Sequence, residues 1–186
     1  LSLVGSEMCI RDRFKSSKYL WDYAEENGFK VTKGVADIPT AFTAEYGSGK
    51  PIIGIMGEFD ANPGISQKKQ PTKEPLIKGA AGHGCGHNLF GAASLGAAIA
   101  IKEMIEAGEI SGTVRFYGTP AEETIFAKVW MVRAGLFDDL DVCMDWHPGD
   151  EIEASTQSSK ALVDFRLRFY GDASHASGDP WNGNSG

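Results

Sequence analysis

The segment GHGCGHN, Gly82 to Asn88, sets His83, Cys85 and His87 at alternate positions with glycine between them. Imidazole, thiolate and carboxylate donors together suit zinc or another borderline divalent ion. Glycine removes side-chain bulk and lets the backbone approach a ligand closely. If the segment is extended, its alternate residues face one way. Three further places carry reactive groups: GEFD with Glu58 and Asp60, GTPAEE with Glu122 and Glu123, and DWHP with Asp145 and His147. Adjacent glutamates suit hydrolysis, because one can bind a metal while the other takes a proton from water that the metal has acidified to a pKa of roughly 7. Each feature also has a plain structural reading. A glutamate pair favours the dipole of a helix's first turn. His147 before Pro148 can cap a strand end, Glu58 and Asp60 can be loop acids, and an isolated HxCxH is often two ordinary hydrogen-bonded histidines. Coincidence favours chemistry, since these segments end strand-like runs or precede a helix, where an open α/β sheet presents its ligands. Cys143 lacks such company and reads as a core thiol within an apolar strand.

The elements that must position these groups follow from periodicity. Phe14 to Asn27 places Tyr19, Leu20, Tyr23 and Ala24 on one helical stripe, with Gly28 set to end it. FKVTKGV and TAFTAEYG alternate like strands, and PIIGIMGEFD is the nearly continuous apolar run of a strand buried on both faces. Residues 62–82 are polar and read as a long loop, a feature that in a compact domain is usually functional or mobile. Leu89 to Ala107 reads as a helix, GTVRFYGTP as a strand, Ala121 to Ala134 as mainly helical, and LDVCMDWHP as another buried strand. Strands alternating with helices predict an α/β fold, a mostly parallel sheet flanked by helices. Then the pattern changes. EIEASTQSSKALVDFRLRFYG holds two strand-like runs without a helix, and Val163, Phe165, Leu167 and Phe169 alternate, so a domain boundary is expected near Gln157.

Bulk properties narrow the class. The 186 residues are 42% hydrophobic and 23% charged, enough for one domain with a core or for a domain plus part of another. A net charge of −7 without a basic patch argues against nucleic acid. The apolar run Leu89 to Ile101 is too short to span a bilayer and reads as a helix packed inside a protein. No charged start and apolar core of a signal peptide is visible, and three scattered cysteines make no disulfide framework, so the cytoplasm is the expected setting. Leu1 to Arg13 joins abruptly to the helix and reads as a leader foreign to the fold, while DPWNGNSG stops without a finished element. The expectation is a fragment.

Taken in order, GEFDANPG, GHGCGHN, GTPAEE, DWHPGD and HASGDPWNG resemble the co-catalytic zinc amidohydrolases and peptidases, family twenty of metallopeptidase clan MH. Within it the variant is similar to the aminobenzoyl-glutamate hydrolase B-subunit group, relatives of the aminoacyl-auxin hydrolases. The resemblance runs from Phe14 to the end of the chain. It implies a cytoplasmic two-metal hydrolase, with zinc or manganese, that cleaves the amide of an N-acyl amino acid or dipeptide. It implies that Cys85 bridges the ions, that His87, Glu123 and His147 are ligands, and that Glu122 is the general base. Asp60 would orient a ligating imidazole, and His175 would steady the oxyanion, often in the active site of the partner subunit of a homodimer. Residues 14–157 would be the catalytic metal-binding part, and 158–186 the start of a smaller α+β lid or dimerisation domain. Most of that lid and the last metal-binding His would lie outside this sequence. Two departures stand out: Asn62 replaces an apolar residue, and Thr124, Ile125 and Phe126 replace small, Gly-rich residues after the glutamates. The second departure keeps an inactive metal-binding relative or regulatory subunit in view. A thiol redox role for Cys85 lacks a CxxC partner.

Overall fold

Helix α1 (Glu7–Glu26) begins upstream of Phe14, so the helical backbone continues across the expected join. The computed structural model describes residues 7–154, 161, 163 and 167–184, with the backbone alone for 7–13. The buried face of α1 is set by Ser17, Leu20, Trp21 and Ala24, at helical spacing. Tyr19 and Tyr23 do not share it: they are 80% and 49% exposed, which corrects the expected stripe. The helix ends at Gly28, whose φ of 82° is left-handed, as Phe29 N–H bonds back to the Ala24 carbonyl and the Asn27 amide to that of Tyr23.

Strands β1 (Lys30–Lys33), β2 (Phe42–Ser48), β3 (Ile52–Glu58), β4 (Gly112–Thr119) and β5 (Val142–Met144) form one sheet in the order β1-β2-β4-β3-β5. An α/β sheet flanked by helices is the predicted class, and its pairing is mixed. β3 lies parallel to β4 and β5, whereas β2 is antiparallel to both β1 and β4. The short β1–β2 link permits only antiparallel pairing, and parallel pairing of β3 with β4 requires the crossover through helix α2 (His87–Glu106). Helix α3 (Ala127–Arg133) follows β4.

The sheet's faces bury different residues. On one, Phe42, Val114, Phe116 and Ile55 pack with Phe59, Ala24 of α1, and Leu95 and Ala98 of α2, while Trp21 meets Phe42 edge-on at 6.0 Å. Ala41, Tyr117 and Met131 pack separately with Leu136, Phe137 and Leu140. Arg115, the β4 residue between Phe116 and Val114, ion-pairs with Glu45 and Asp139 at 2.6 and 2.7 Å. By length and composition α2 could cross a membrane, being 20 residues long and longer than its apolar run implied. One face of it, with Phe90, Leu95 and Ala98, is buried in the structure.

β5 departs from expectation. It stands at the sheet edge, paired among the described residues with β3 alone, and Val142, Cys143 and Met144 are all exposed. Cys143 is therefore an edge-strand residue and not the expected core thiol.

Gly118 of β4 faces Phe42 of β2, and a Cβ there would lie 2.1 Å from the buried Phe42 ring. Gly118→Ala is expected to destabilise the full-length protein by about 1–3 kcal/mol, the usual cost of overpacking. Gly96→Ala, on the exposed face of α2 with nothing within 4 Å, is expected to stabilise it by about 0.5–1 kcal/mol. Urea midpoints measure both, and equal midpoints for the two variants would refute the close packing.

The chain divides into two compact units, Leu1–Asp150 and Glu151–Gly186. Gln157 and Phe165 lie outside the described residues. In the second unit, Leu167 and Phe169 are exposed and 167–170 carry no strand, contrary to the alternation. Alternation alone does not make a strand, which also needs a ladder partner for its backbone groups. An isolated antiparallel bridge joins Asp172 to Asn184, and a short 3-10 turn spans Pro180–Asn182.

Candidate metal centre

β3, β4 and β5 run parallel, so their carboxyl ends deliver Glu58 and Asp60, Glu122 and Glu123, and His147 to one edge of the sheet. The fourth contribution comes from the start of α2. The GHGCGHN segment is not extended throughout, so the condition for its alternate residues to face one way is not met. Gly86 takes a left-handed φ of 79° and caps α2, making His87 the first helical residue, two positions before the predicted start. That bend brings Cys85 and His87 together. A side chain at Gly86 would also strike Pro148, at 2.8 Å.

His87 is buried, with Asp60 on one side and Glu58 on the other. Its Nδ1 lies 3.1 Å from Asp60 Oδ1, and because a carboxylate accepts, Nδ1 carries the proton and Nε2 the lone pair. Asp60 Oδ2 accepts the Glu123 N–H at 3.1 Å, which ties the ends of β3 and β4 together. His147 repeats this logic. Its Nδ1 donates to the Pro148 carbonyl at 2.9 Å, leaving Nε2 directed at Cys85 Sγ at 3.3 Å. Phe90 meets the rings of both His147 and Trp146 edge-on, and Trp146 donates to Ser94 Oγ at 3.1 Å.

Two sets of donor atoms lie within 4.8 Å of one another: Cys85, His87 and His147, and Glu58, His87 and Glu122. His87 belongs to both. Its Nε2 and Glu58 Oε2 sit 2.9 Å apart as two acceptors, so both buried atoms lack a hydrogen-bond partner. Unpartnered buried polar atoms are costly and call for an explanation. A mixed S, N and O donor set beside them fits a divalent metal.

The electrostatics agree with a site built for cations. Burial first, and then the negative charge of Glu58 and Glu123, push Glu122 up from its ordinary value. Burial, then Glu123 through charge and a hydrogen bond, pushes the Cys85 thiol up. A bound cation acts in the opposite sense on both.

Glu122 and Glu123 lie in a turn between Ala121 and Phe126, both of positive φ, and α3 begins only at Ala127. The helix expected from Ala121 therefore starts six residues later, and the plain reading of the pair as a helix's first turn does not hold: two left-handed residues keep it out of the helix. Glu123 stands outside both donor sets, its carboxylate interacting with Cys85. His83 is exposed, belongs to neither set, and lines a cavity of about 230 Å³ with Ser16, Tyr19, Leu20 and Asn88. His175 falls in the second unit, where its Nδ1 accepts the Gly178 N–H at 2.9 Å. Two residues gain a place that the sequence did not assign them. Asn62, one of the two departures from the resemblance, accepts the Cys85 N–H through its side chain at 3.3 Å and pairs its backbone with Gly82. Lys128 forms an ion pair with Glu58. Asn62 was visible as a departure from the resemblance, while nothing local marked Lys128.

Fold and site together define an α/β framework whose sheet edge gathers residues able to hold a metal ion. Residues 54–176 match the model of Peptidase family M20/M25/M40, and the chain belongs to that family. It is 45% identical over 179 residues to the B subunit of p-aminobenzoyl-glutamate hydrolase from Escherichia coli (strain K12), covering 94% of this chain and 36% of that protein. It is 33% identical over 155 residues to the Xaa-Arg dipeptidase of Mus musculus, covering 78% of this chain and 32% of that one. A solved Bacillus subtilis structure, described as a dinuclear metal binding peptidase of the M20 family, is similar with a TM-score of 0.58 at 27% identity, over 69% of this chain and 35% of that one. The chain thus spans about a third of the length of these relatives.

Proposed function

We propose that the whole protein is a metal-dependent amidohydrolase that cleaves the amide bond of N-acyl amino acids or small peptides, with an aminobenzoyl-glutamate-like substrate. One observation carries this reading: the buried His87, held through Nδ1 by Asp60, leaves an unpartnered Nε2 beside Glu58 and Glu122. The similarity to a hydrolase and a dipeptidase supports the reaction class.

In this reading Cys85, His87, Glu123 and His147 would hold two divalent ions, zinc or manganese. When bound, the ions polarise the substrate carbonyl and lower the pKa of water to roughly 7. Asp60 keeps the His87 lone pair directed at the ligand position. Glu122, raised by burial and neighbouring carboxylates, takes the proton from the attacking water and passes it to the leaving amine. His175 donates to the oxyanion, from a lid domain that residues 158–186 begin and, in a dimer, from the partner subunit. The assembly is a homodimer or a pair with a related second subunit, a reading supported by the Escherichia coli relative, which is one subunit of its hydrolase. Its setting is the cytoplasm.

The full-length protein is expected to hydrolyse N-acyl amino acids, to lose that activity on treatment with chelator, and to regain it when Zn²⁺ or Mn²⁺ is restored. Metal binding without hydrolysis of any such amide would identify the inactive relative instead. Activity unaffected by complete metal removal would overturn the proposal.

A further inference from the structure

Glu58 has no part in the ligand set proposed above, yet its surroundings are those of a working group. Its side chain is 3% exposed, at the carboxyl end of β3. One oxygen, Oε1, is ion-paired with Lys128, whose own side chain is 30% exposed. The other, Oε2, is turned toward His87 Nε2 and has no hydrogen-bond partner. An isolated buried carboxylate is unfavourable, and a neighbouring ammonium offsets part of that cost. Lys128 also lies 5.8 Å from the centre of the Phe90 ring, whose edge contacts include His147. It is the second residue of α3, placed there by the left-handed residues Ala121 and Phe126 that bend the chain after β4.

We propose that Glu58 and Lys128 form a brace for the metal centre. Glu58 Oε2 is a further ligand for the ion at His87 Nε2, and Lys128 is a positioning residue that engages the opposite oxygen. Lys128 thereby fixes the direction of Oε2 and offsets the charge that Glu58 adds beside Glu122 and Asp60. This rests on the proposed metal site and deepens it. Glu58 and His87 would then face one ion, while Glu122, which lies within 4.8 Å of both, stays free to act as the base.

The test is Zn²⁺ affinity, read by competition with a chromophoric chelator in the full-length protein, beside the thermal midpoint of the metal-free form. Lys128→Met is expected to weaken the binding of one ion by about 10–100-fold, the scale of losing a supporting partner of a metal ligand. Lys128→Arg, which keeps the charge, is expected to restore most of it. Glu58→Gln is expected to weaken the same ion at least as much, and it carries the test if Lys128→Met does not fold. Wild-type affinity in Glu58→Gln, or in a folded Lys128→Met, would overturn the brace. So would a fall in the metal-free midpoint with unchanged affinity, which marks a merely structural pair. A wild-type protein that binds no Zn²⁺ would instead overturn the underlying metal centre.

Discussion

Glu122→Gln in the full-length protein is expected to lower kcat by about 10²–10⁴ while metal content stays at the wild-type level. The substitution keeps the shape of the side chain and removes its proton acceptor. Glu122 sits in the turn after β4, near Glu58 and His87, where burial and the surrounding carboxylates raise its proton affinity. Glu123 is expected to behave differently, although it is adjacent. Its backbone N–H is engaged by Asp60 and its carboxylate interacts with Cys85, so Glu123→Gln should lower metal occupancy. Single-turnover rates and elemental analysis on the same preparations separate the two effects. If both variants keep full metal and full turnover, the pair has no catalytic part.

Cys85→Ala is expected to release at least one metal ion per chain. Cys85 supplies the only sulfur in its set, and it lies 3.3 Å from the lone-pair nitrogen of His147. Without it, the donor set loses its sulfur, and His147 Nε2 loses the neighbour that defines its position. Asn62 and Gly86 position this sulfur by holding its backbone N–H and by bending the chain after it. Damage from Cys85→Ala should therefore be confined to the metal centre, with the secondary structure retained in circular dichroism. Unchanged stoichiometry by elemental analysis would remove Cys85 from the ligand set.

Residue type and local order were enough to establish the chemistry on offer. A thiol, two imidazoles and paired carboxylates stand in short segments at the ends of apolar runs, and the runs became β3, β4 and β5. Periods of two and 3.6 residues are local properties of the chain, so strands and helices were legible without any contact. Pairing was not. The insertion of β4 between β2 and β3, the exposed edge position of β5 and the choice of Leu20 and Trp21 over Tyr19 and Tyr23 all depend on which surfaces meet. The same holds inside the site. Asp60 and His87 are 27 residues apart, Asp60 and Glu123 63 apart, and Cys85 and His147 62 apart, so no local pattern relates them. The left-handed turns at Gly86, Ala121 and Phe126 are likewise held by their surroundings, since Ala and Phe have no intrinsic preference for positive φ. Tertiary packing converted a set of donors scattered along the chain into two overlapping groups around His87, and it placed Lys128, unmarked in the sequence, against the buried carboxylate of Glu58.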